Sequence, residues 1–324
     1  MQRAPFSKRR RRFTDSGGDD ADGTASPSKG TAMTIRPRRS VLYMPGSNAR
    51  ALEKARTLPA DGVILDLEDA VAPDAKVEAR ARIVETVKAG GFGPREVVIR
   101  INGLDTPWGS DDLDAAASAA PDAILLPKVQ SVEQLVTVGR RLEALGVPQT
   151  TRVWAMIETP LAILDIRAIA ASAQDPLTRL AVFVLGTNDL AKETRAALVP
   201  GRAPMVAWLQ LVVAAGSAFG VDVLDGVWNQ FQDLDGFKEE CLQGVSFGMD
   251  GKTLIHPSQI EPCNTLFSPP EAEVARARAI IAAFALPENA GKGVITLDGR
   301  MVELLHAEMA KRTVAVADAI AARA

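Results

Sequence analysis

Two acidic residues stand at the ends of apolar runs in the sequence. Glu158 follows the run RVWAMI, and Asp189 ends the run AVFVLGTND. Carboxylates suit a hard cation such as Mg²⁺, which takes one or two of them and completes its shell with water and substrate oxygens. The two histidines, His256 and His306, are too few for a Ser–His–Asp or zinc–histidine mechanism. For either acid alone, the alternative is an ion pair with a local Arg or Lys, or a helix cap.

Other polar residues follow the neighbouring apolar runs. Arg100 has the planar guanidinium that grips a substrate carboxylate through two parallel hydrogen bonds. The alternative for Arg100 is a salt bridge to the acidic segment 66–69. Glu68 and Asp69 suit a second layer that orients metal-bound water. They are equally suited to pair with Lys128 and Arg100.

A repeated pattern along the chain positions these residues. Eight short apolar runs alternate with segments of helical spacing, which indicates a parallel sheet covered on both faces. Eight such units in about 230 residues predict an α/β fold, a TIM (β/α)8 barrel, whose chemistry lies at the carboxyl ends of its strands. A doubly wound open sheet is the alternative, but MPGSNAR after the first run is not its glycine-rich turn. The predicted strands span residues 41–45, 63–69, 97–103, 123–129, 152–158, 181–189, 221–227 and 245–257.

Four segments between these runs carry clear helix signals. The clearest start sites are Asn48 and Ser131, which are favourable N-cap residues. The predicted helices span residues 48–58, 74–89, 131–145 and 202–220.

The chain divides into three predicted parts. Residues 1–37 are poor in apolar residues and rich in Gly, Ser and Asp, so we expect a disordered tail. Its basic run from Lys8 to Arg12 indicates either a targeting or nucleic-acid-binding arm or, as the favoured interpretation, a solvated tail upstream of a start at Met33. Residues 38–285 form the barrel. Residues 286–324 form a C-terminal arm or lid.

The composition of the chain bears on its binding partners, its cellular compartment and its relation to membranes. The net charge of −3 gives the whole protein no nucleic-acid signature. Cys241 and Cys263 lack any metal or redox spacing, which indicates free thiols in a reducing compartment, so we expect a cytoplasmic protein. The longest apolar stretch, residues 209–224, is interrupted by Ser217 and Asp222, so we expect no membrane span.

Seven motifs together resemble the HpcH/HpaI aldolase/citrate lyase superfamily over residues 38–320. They are RSVLYMPGSNARALEKA, DGVILDLEDAVAPDAKVEAR, VVIRINGLDTPWG, AILLPKV, AMIET, LGTNDLAKE and GKTLIHPSQI. The chain is most similar to the branch of citrate lyase β-subunits and malyl-CoA lyases. The resemblance implies a homotrimeric or homohexameric TIM barrel that uses Mg²⁺ on an acyl-CoA substrate.

The resemblance also implies roles for particular residues. Glu158 and Asp189 match the metal ligands, and Arg100 matches the arginine that holds the carboxylate of the keto-acid half. Asn188 and Asp189 would contact the same half of the substrate. The positions that match contacts to the CoA thioester or its nucleotide end are Tyr43, Lys54, Ile255 and His256.

Two positions depart from the family pattern. Asn48 stands where malyl-CoA lyases commonly carry an arginine, a role that Arg50 could take. In the arm, GRMVE replaces a GRxxD motif whose aspartate enters the neighbouring subunit's site as acid or base. Glu303 therefore keeps the carboxylate but moves it by one methylene, and about 1 Å of misplacement matters in proton transfer.

The resemblance implies carbon–carbon cleavage of a 3-hydroxydicarboxylyl-CoA of the malyl-CoA or citryl-CoA type as the first hypothesis. The (3S)-malyl-CoA thioesterases, which are similar over the whole length and share the glutamate at Glu303, make hydrolysis of the thioester the alternative. A metal-dependent pyruvate aldolase and an inactive binding subunit are the remaining hypotheses.

Overall fold

The computed structural model describes residues 35–323. The predicted disordered tail, with its basic run, lies outside the described residues except for residues 35–37.

Eight parallel strands close into a barrel in simple chain order, each hydrogen-bonded to the next and the eighth to the first. This confirms the predicted TIM (β/α)8 barrel. The strands are short and almost entirely buried because the barrel interior covers one face and the helices cover the other. They are β1 (Ser40–Pro45), β2 (Gly62–Asp66), β3 (Glu96–Arg100), β4 (Ala123–Leu126), β5 (Arg152–Ile157), β6 (Leu180–Leu185), β7 (Asp222–Asp225) and β8 (Gly251–Leu254).

Helices follow every strand and pack outside the barrel. Asn48 caps the first of them by accepting a hydrogen bond from the backbone N–H of Ala51 at 3.1 Å. The helices that follow the strands are α1 (Ala49–Ala55), α2 (Lys76–Ala89), α3 (Gly109–Ala119), α4 (Val132–Ala144), α5 (Pro160–Leu164), α6 (Ile166–Ala171), α7 (Thr187–Thr194), α8 (Val206–Phe219), α9 (Leu234–Phe247) and α10 (Ile260–Leu266).

The register of the strands brings the predicted site residues to one rim. Asp66, the last residue of β2, pairs directly with Arg100, the last residue of β3. In the same way Ile157 of β5 pairs with Leu185 of β6, so the residues that follow these strands emerge side by side. The carboxyl ends of the strands therefore form the mouth where barrel enzymes carry out chemistry.

The predicted boundary of the eighth strand is wrong at its start. Val245–Phe247 form the last turn of α9, because that helix continues its buried stripe through Cys241 and Gly244. Gly248, with φ of 88°, then ends the helix in the left-handed conformation that glycine tolerates best. Strand β8 begins only at Gly251.

The helix predicted from residue 202 begins later, at Val206. Arg202 adopts φ of 52°, which no α-helix allows. Pro204 lacks a backbone N–H and is compatible only with a helix start. The segment before α8 is therefore an irregular loop at the mouth of the barrel.

A C-terminal unit packs outside the barrel around its own small core. Ile295 and Val302, from the two strands of a hairpin, are buried against Ala277 and Ile280 of one helix and Ala307 of another. The predicted division at residue 285 placed the helix at residues 271–284 in the barrel. The buried residues of this helix belong to the same small core as those of the arm. The elements of this unit are α11 (Glu271–Phe284), β9 (Val294–Leu297), β10 (Arg300–Glu303) and α12 (Leu304–Ala321).

No helix within residues 35–323 combines the length and the apolarity required to cross a membrane.

Candidate active site

A cavity of about 300 Å³ opens at the carboxyl ends of the barrel strands. It brings together residues from strands and loops that are far apart in the sequence. Seven predicted site residues line it: Tyr43, Asp69, Arg100, Glu158, Asn188, Asp189 and Ile255.

Arg100 is held by a bidentate ion pair at the floor of this cavity. Its Nε and Nη2 donate to the two carboxylate oxygens of Asp66, both at 2.6 Å. The guanidinium carbon also lies 4.8 Å from the centre of the Tyr43 ring, a cation–π contact. Since Arg100 and Asp66 are buried, neither side chain has freedom to turn away, and one edge of the guanidinium is permanently occupied.

The remaining nitrogen of Arg100, Nη1, faces two further carboxylates. Glu68 Oε2 lies 2.8 Å away and Asp69 Oδ2 lies 3.4 Å away. The salt bridge to the acidic segment, which was the alternative interpretation of Arg100, is therefore present. Asp69 is mostly exposed, whereas Glu68 is buried, so a substrate carboxylate would reach Nη1 by displacing Asp69.

Glu68 and Lys128 form the adjoining ion pair. Lys128 Nζ donates to Glu68 Oε1 at 2.5 Å. Burial opposes the charge on Lys128, but the hydrogen bond to Glu68 and the negative charges of Glu68, Glu158 and Asp69 together outweigh burial and raise the pKa of the ammonium group. Burial also raises the pKa of Glu68, although Arg100 and Lys128 counteract the effect. Glu68 Oε2 makes no directed hydrogen bond within residues 35–323 and is balanced by its ion-pair contact with Arg100 Nη1.

Glu158 directly follows β5 and lines the cavity with only 1% of its surface exposed. Its Oε1 accepts a hydrogen bond from the backbone N–H of Lys128 at 2.7 Å. Burial, together with the charges of Glu68 and Asp189, raises the pKa of Glu158 to about 8. Gly186 makes room for this carboxylate, because a Cβ on residue 186 would overlap both its Cβ and its Oε2.

Asp189 lies beyond the strand that the sequence pattern assigned to it. Strand β6 ends at Leu185, and Asn188 and Asp189 belong to the first turn of α7. The side chain of Asp189 is 23% exposed, and the nearest basic group, Lys192 Nζ, is 4.0 Å away. Asp189 thus faces the cavity with only a weak ion pair, close enough to Glu158 to raise its pKa.

Asn188 is paired with a residue that the sequence patterns did not indicate. Asn229, from the loop after β7, exchanges two amide hydrogen bonds with Asn188, at 3.1 and 2.8 Å. Met156 and Gly186 also line the cavity without having been predicted. No spacing marks a methionine, a glycine or a loop asparagine as part of a site, so these residues were recognisable only once the strands were placed.

The donors around the cavity fit a divalent cation. Asp66, Glu68, Asp69, Glu158 and Asp189 bring five carboxylates, against the two cations Arg100 and Lys128. Within residues 35–323, no three Asp, Glu, His or Cys side chains converge closely enough to hold a metal ion by themselves. Two carboxylates with room for water and substrate oxygens match Mg²⁺, which retains several waters and prefers oxygen ligands.

Besides Glu68, three predicted site residues do not line this cavity. Lys54 is exposed on α1. His256 stacks on Phe231 at 4.7 Å and accepts a hydrogen bond from the backbone N–H of Ser258 through Nδ1 at 3.2 Å. Glu303 is half-buried at the start of α12, where its backbone N–H donates to His306 Nδ1 at 3.0 Å. The side chain of Asn48 caps α1. The exposed Arg50 is therefore the remaining candidate for a phosphate contact in this segment.

The fold and this cavity define an α/β barrel whose acidic rim fits a divalent metal. Comparison with known proteins makes the class more specific. The model of the HpcH/HpaI aldolase/citrate lyase family matches residues 39–257, and the chain belongs to this family.

Three relatives illustrate its place in the family. A (3S)-malyl-CoA thioesterase from Cereibacter sphaeroides is 48% identical over 291 residues, which cover 90% of this chain and 98% of the relative. The citrate lyase subunit beta of Escherichia coli is 32% identical over 83% of this chain and 89% of its own length. The structure of CitE from Mycobacterium tuberculosis in complex with magnesium, acetoacetate and coenzyme A is 30% identical, with a TM-score of 0.69, and covers 86% of this chain and 99% of CitE.

The raised pKa of Glu158 predicts that binding of Mg²⁺ depends on pH. Below pH 8 this carboxyl group is protonated, so the cation must displace a proton. We expect the Mg²⁺ dissociation constant, measured by calorimetry, to rise by roughly tenfold per pH unit below pH 8, with proton release. Glu158→Gln should abolish binding, whereas Glu193→Gln, an exposed change on α7, should preserve it. Equal affinity at pH 6.5 and pH 8.5 would contradict this role of Glu158.

Asp69 contacts Arg100 Nη1, so we expect Asp69 to compete with the substrate carboxylate for this nitrogen. Asp69→Asn removes the charge that faces Nη1 and leaves the Asp66 pair intact. We expect KM for a dicarboxylyl-CoA to fall about threefold, since the exposed contact is worth up to ~1 kcal/mol. Asp74→Asn, at an exposed residue in the turn before α2, is the control. A KM that rises more than threefold would instead indicate that Asp69 orients a metal-bound water.

Proposed function

We propose that the chain is a Mg²⁺-dependent thioesterase acting on a short 3-hydroxydicarboxylyl-CoA of the malyl-CoA type. The observation that carries the proposal is the convergence of Glu158 and Asp189 with the buried guanidinium of Arg100 in one cavity. The similarity to (3S)-malyl-CoA thioesterases over nearly their whole length supports hydrolysis over the other reactions of the family.

The acyl group occupies the cavity between the acidic pair and the arginine. Glu158 and Asp189 hold the metal ion, which when bound supplies Lewis-acid polarisation of substrate oxygens and neutralises charge. Arg100 Nη1 binds the terminal carboxylate after Asp69 has moved aside. Tyr43, packed against the guanidinium, limits its motion, and burial raises the pKa of the Tyr43 hydroxyl, so it stays a neutral donor.

The CoA portion leaves the cavity over β1 and β8. Ile255, which follows β8, lines the cavity and is 40% exposed, so it offers an apolar surface to the pantetheine arm. The half-buried His256 beside it is fixed by Phe231 and Ser258. Lys54 and Arg50, both exposed on α1, suit the phosphates of the nucleotide end.

Glu303 serves the cavity of a neighbouring copy in a homotrimer or homohexamer. Within its own chain Glu303 does not line the cavity, so it would act on the cavity of another copy. Large apolar side chains flank Glu303 and are more than half exposed, as expected of a surface that becomes covered on assembly. They are Met301, Leu304, Leu305 and Met309.

Hydrolysis requires that water adds to the thioester carbonyl carbon. Glu303 takes a proton from that water, the C–S bond breaks, and the thiolate of CoA receives the proton, giving malate and free CoA. The side chain of glutamate is one methylene longer than that of the aspartate in the GRxxD motif. This extra length suits a carboxylate that contacts a water rather than the substrate itself.

Carbon–carbon cleavage is the second candidate, favoured by the similarity to a citrate lyase subunit. In that reaction the substrate hydroxyl loses its proton, the bond to the neighbouring carbon breaks, and the resulting enolate is protonated. Malyl-CoA would give glyoxylate and acetyl-CoA without free CoA.

Product analysis separates the two reactions. With malyl-CoA and Mg²⁺ we expect malate and free CoA in equal amounts and no glyoxylate, and we expect EDTA to stop the reaction. Glu303→Gln should lower kcat by at least ~100-fold, while Glu308→Gln, exposed on the same helix, should not. Glyoxylate with acetyl-CoA as the accumulating products would overturn the thioesterase assignment in favour of a lyase.

A further inference from the structure

A second cavity lies beside the first at the mouth of the barrel, on the side of β6 and β7. Its volume is about 210 Å³, compared with about 300 Å³ for the first. The two cavities share the wall residues Thr187, Asn188, Val227 and Asn229. The proposed function uses only the first cavity.

The partition between the cavities is the Asn188–Asn229 pair. Two neutral amide hydrogen bonds, of 3.1 and 2.8 Å, hold the pair together, and both side chains are exposed. Water can replace both hydrogen bonds when the side chains part. The side chains of Asn188 and Asn229 can therefore separate without leaving a buried polar group unpaired.

The walls of the second cavity are mainly apolar. The apolar lining comes from Leu198, Val199, Pro200, Val227 and Trp228. Leu198 is 54% exposed and Val199 is 40% exposed, so a ligand in this cavity would cover apolar surface that water now contacts.

Arg202 and Glu240, the charged residues that line the cavity, belong to a buried ion-pair cluster that carries no net charge. Arg202 Nη1 donates to Asp225 at 2.6 Å, and Lys252 Nζ donates to Asp225 at 3.0 Å and to Glu240 at 2.6 Å. Two cations thus meet two carboxylates. Arg202 Nη2 has no hydrogen-bond partner within residues 35–323, but protein atoms cover it, so it offers no exposed charge to a ligand. An additional carboxylate has nothing to bind there.

We propose that the second cavity is a subsite for an uncharged alkyl branch of three or four carbons on the hydroxyl-bearing carbon of the acyl-CoA substrate. The inference rests on the proposed function and on the contact between Asn188 and the keto-acid half of the substrate, the half that contains the hydroxyl-bearing carbon, which the family resemblance implies. The volume is many times the ~15 Å³ that a single water requires, which is more than a methyl group fills.

The test compares malyl-CoA with its homologue that carries a propyl group on the hydroxyl-bearing carbon. In the unaltered chain we expect kcat/KM for the two substrates to agree within about tenfold. Leu198→Trp places an indole in the second cavity only. It should lower kcat/KM for the branched substrate at least tenfold and leave that for malyl-CoA within twofold. Asn229→Ala should raise the ratio of branched to unbranched turnover.

Leu242→Trp is the matched control, because Leu242 is 53% exposed on α9 and lines neither cavity. Val199→Trp replaces Leu198→Trp if the latter fails to fold. Rejection of the branched substrate by the unaltered chain, or a change in the ratio of less than fivefold in the filled variant, overturns the subsite while malyl-CoA turnover persists. Absence of malyl-CoA turnover in the unaltered chain overturns the proposed function and this inference together.

Discussion

The excess of carboxylates over cations at the barrel mouth is the constraint on which the rest of the site depends. Buried like charges disfavour one another's ionisation, and burial itself penalises each charge. The consequence is the pKa of Glu158, raised to about 8, and the raised pKa of Glu68. A divalent cation relieves both effects, so the fold that keeps these groups together also creates affinity for the metal.

The barrel fixes the acidic groups through strand register and local backbone geometry. Asp66 and Arg100 pair in register at adjacent strand ends, which keeps the bidentate ion pair in one orientation. Lys128, with φ of 51°, turns its backbone N–H toward Glu158. Thr159 then caps α5 through the backbone N–H of Ala162, and the chain turns away from the site at once. The reactive groups are thus held by the scaffold, whereas the residues proposed to contact CoA are exposed or, in the case of His256, half-buried.

The opposite end of the barrel anchors the C-terminal unit. Arg312 of α12 donates to Asp250, just before β8, at 2.8 Å. Burial and the nearby charge of Asp222 raise the pKa of Asp250 to about 6, and Arg312 counteracts the shift. The base of the arm is therefore attached to its own barrel, while the hairpin end that carries Glu303 presents apolar side chains to solvent.

The sequence predicted the barrel because eight buried parallel strands leave a strong, repeated apolar pattern. Glu158 was predicted as a site residue because a strand end has few reasons to bury an acid. The sequence offered the ion pair between Arg100 and segment 66–69 only as an alternative, because choosing it required the strand register. The pairing of Asn188 with Asn229 required the path of an irregular loop. Local sequence carries neither.

The central claim is that Glu158 and Asp189 together bind a divalent cation. Diffraction from crystals grown with Mn²⁺, recorded at an energy where manganese scatters anomalously, tests it directly. The account predicts one anomalous peak within ~2.2 Å of a carboxylate oxygen from each of these residues, with waters completing an octahedral shell. A peak on Glu68 and Asp69 instead, or none at the barrel mouth at saturating Mn²⁺, would contradict it.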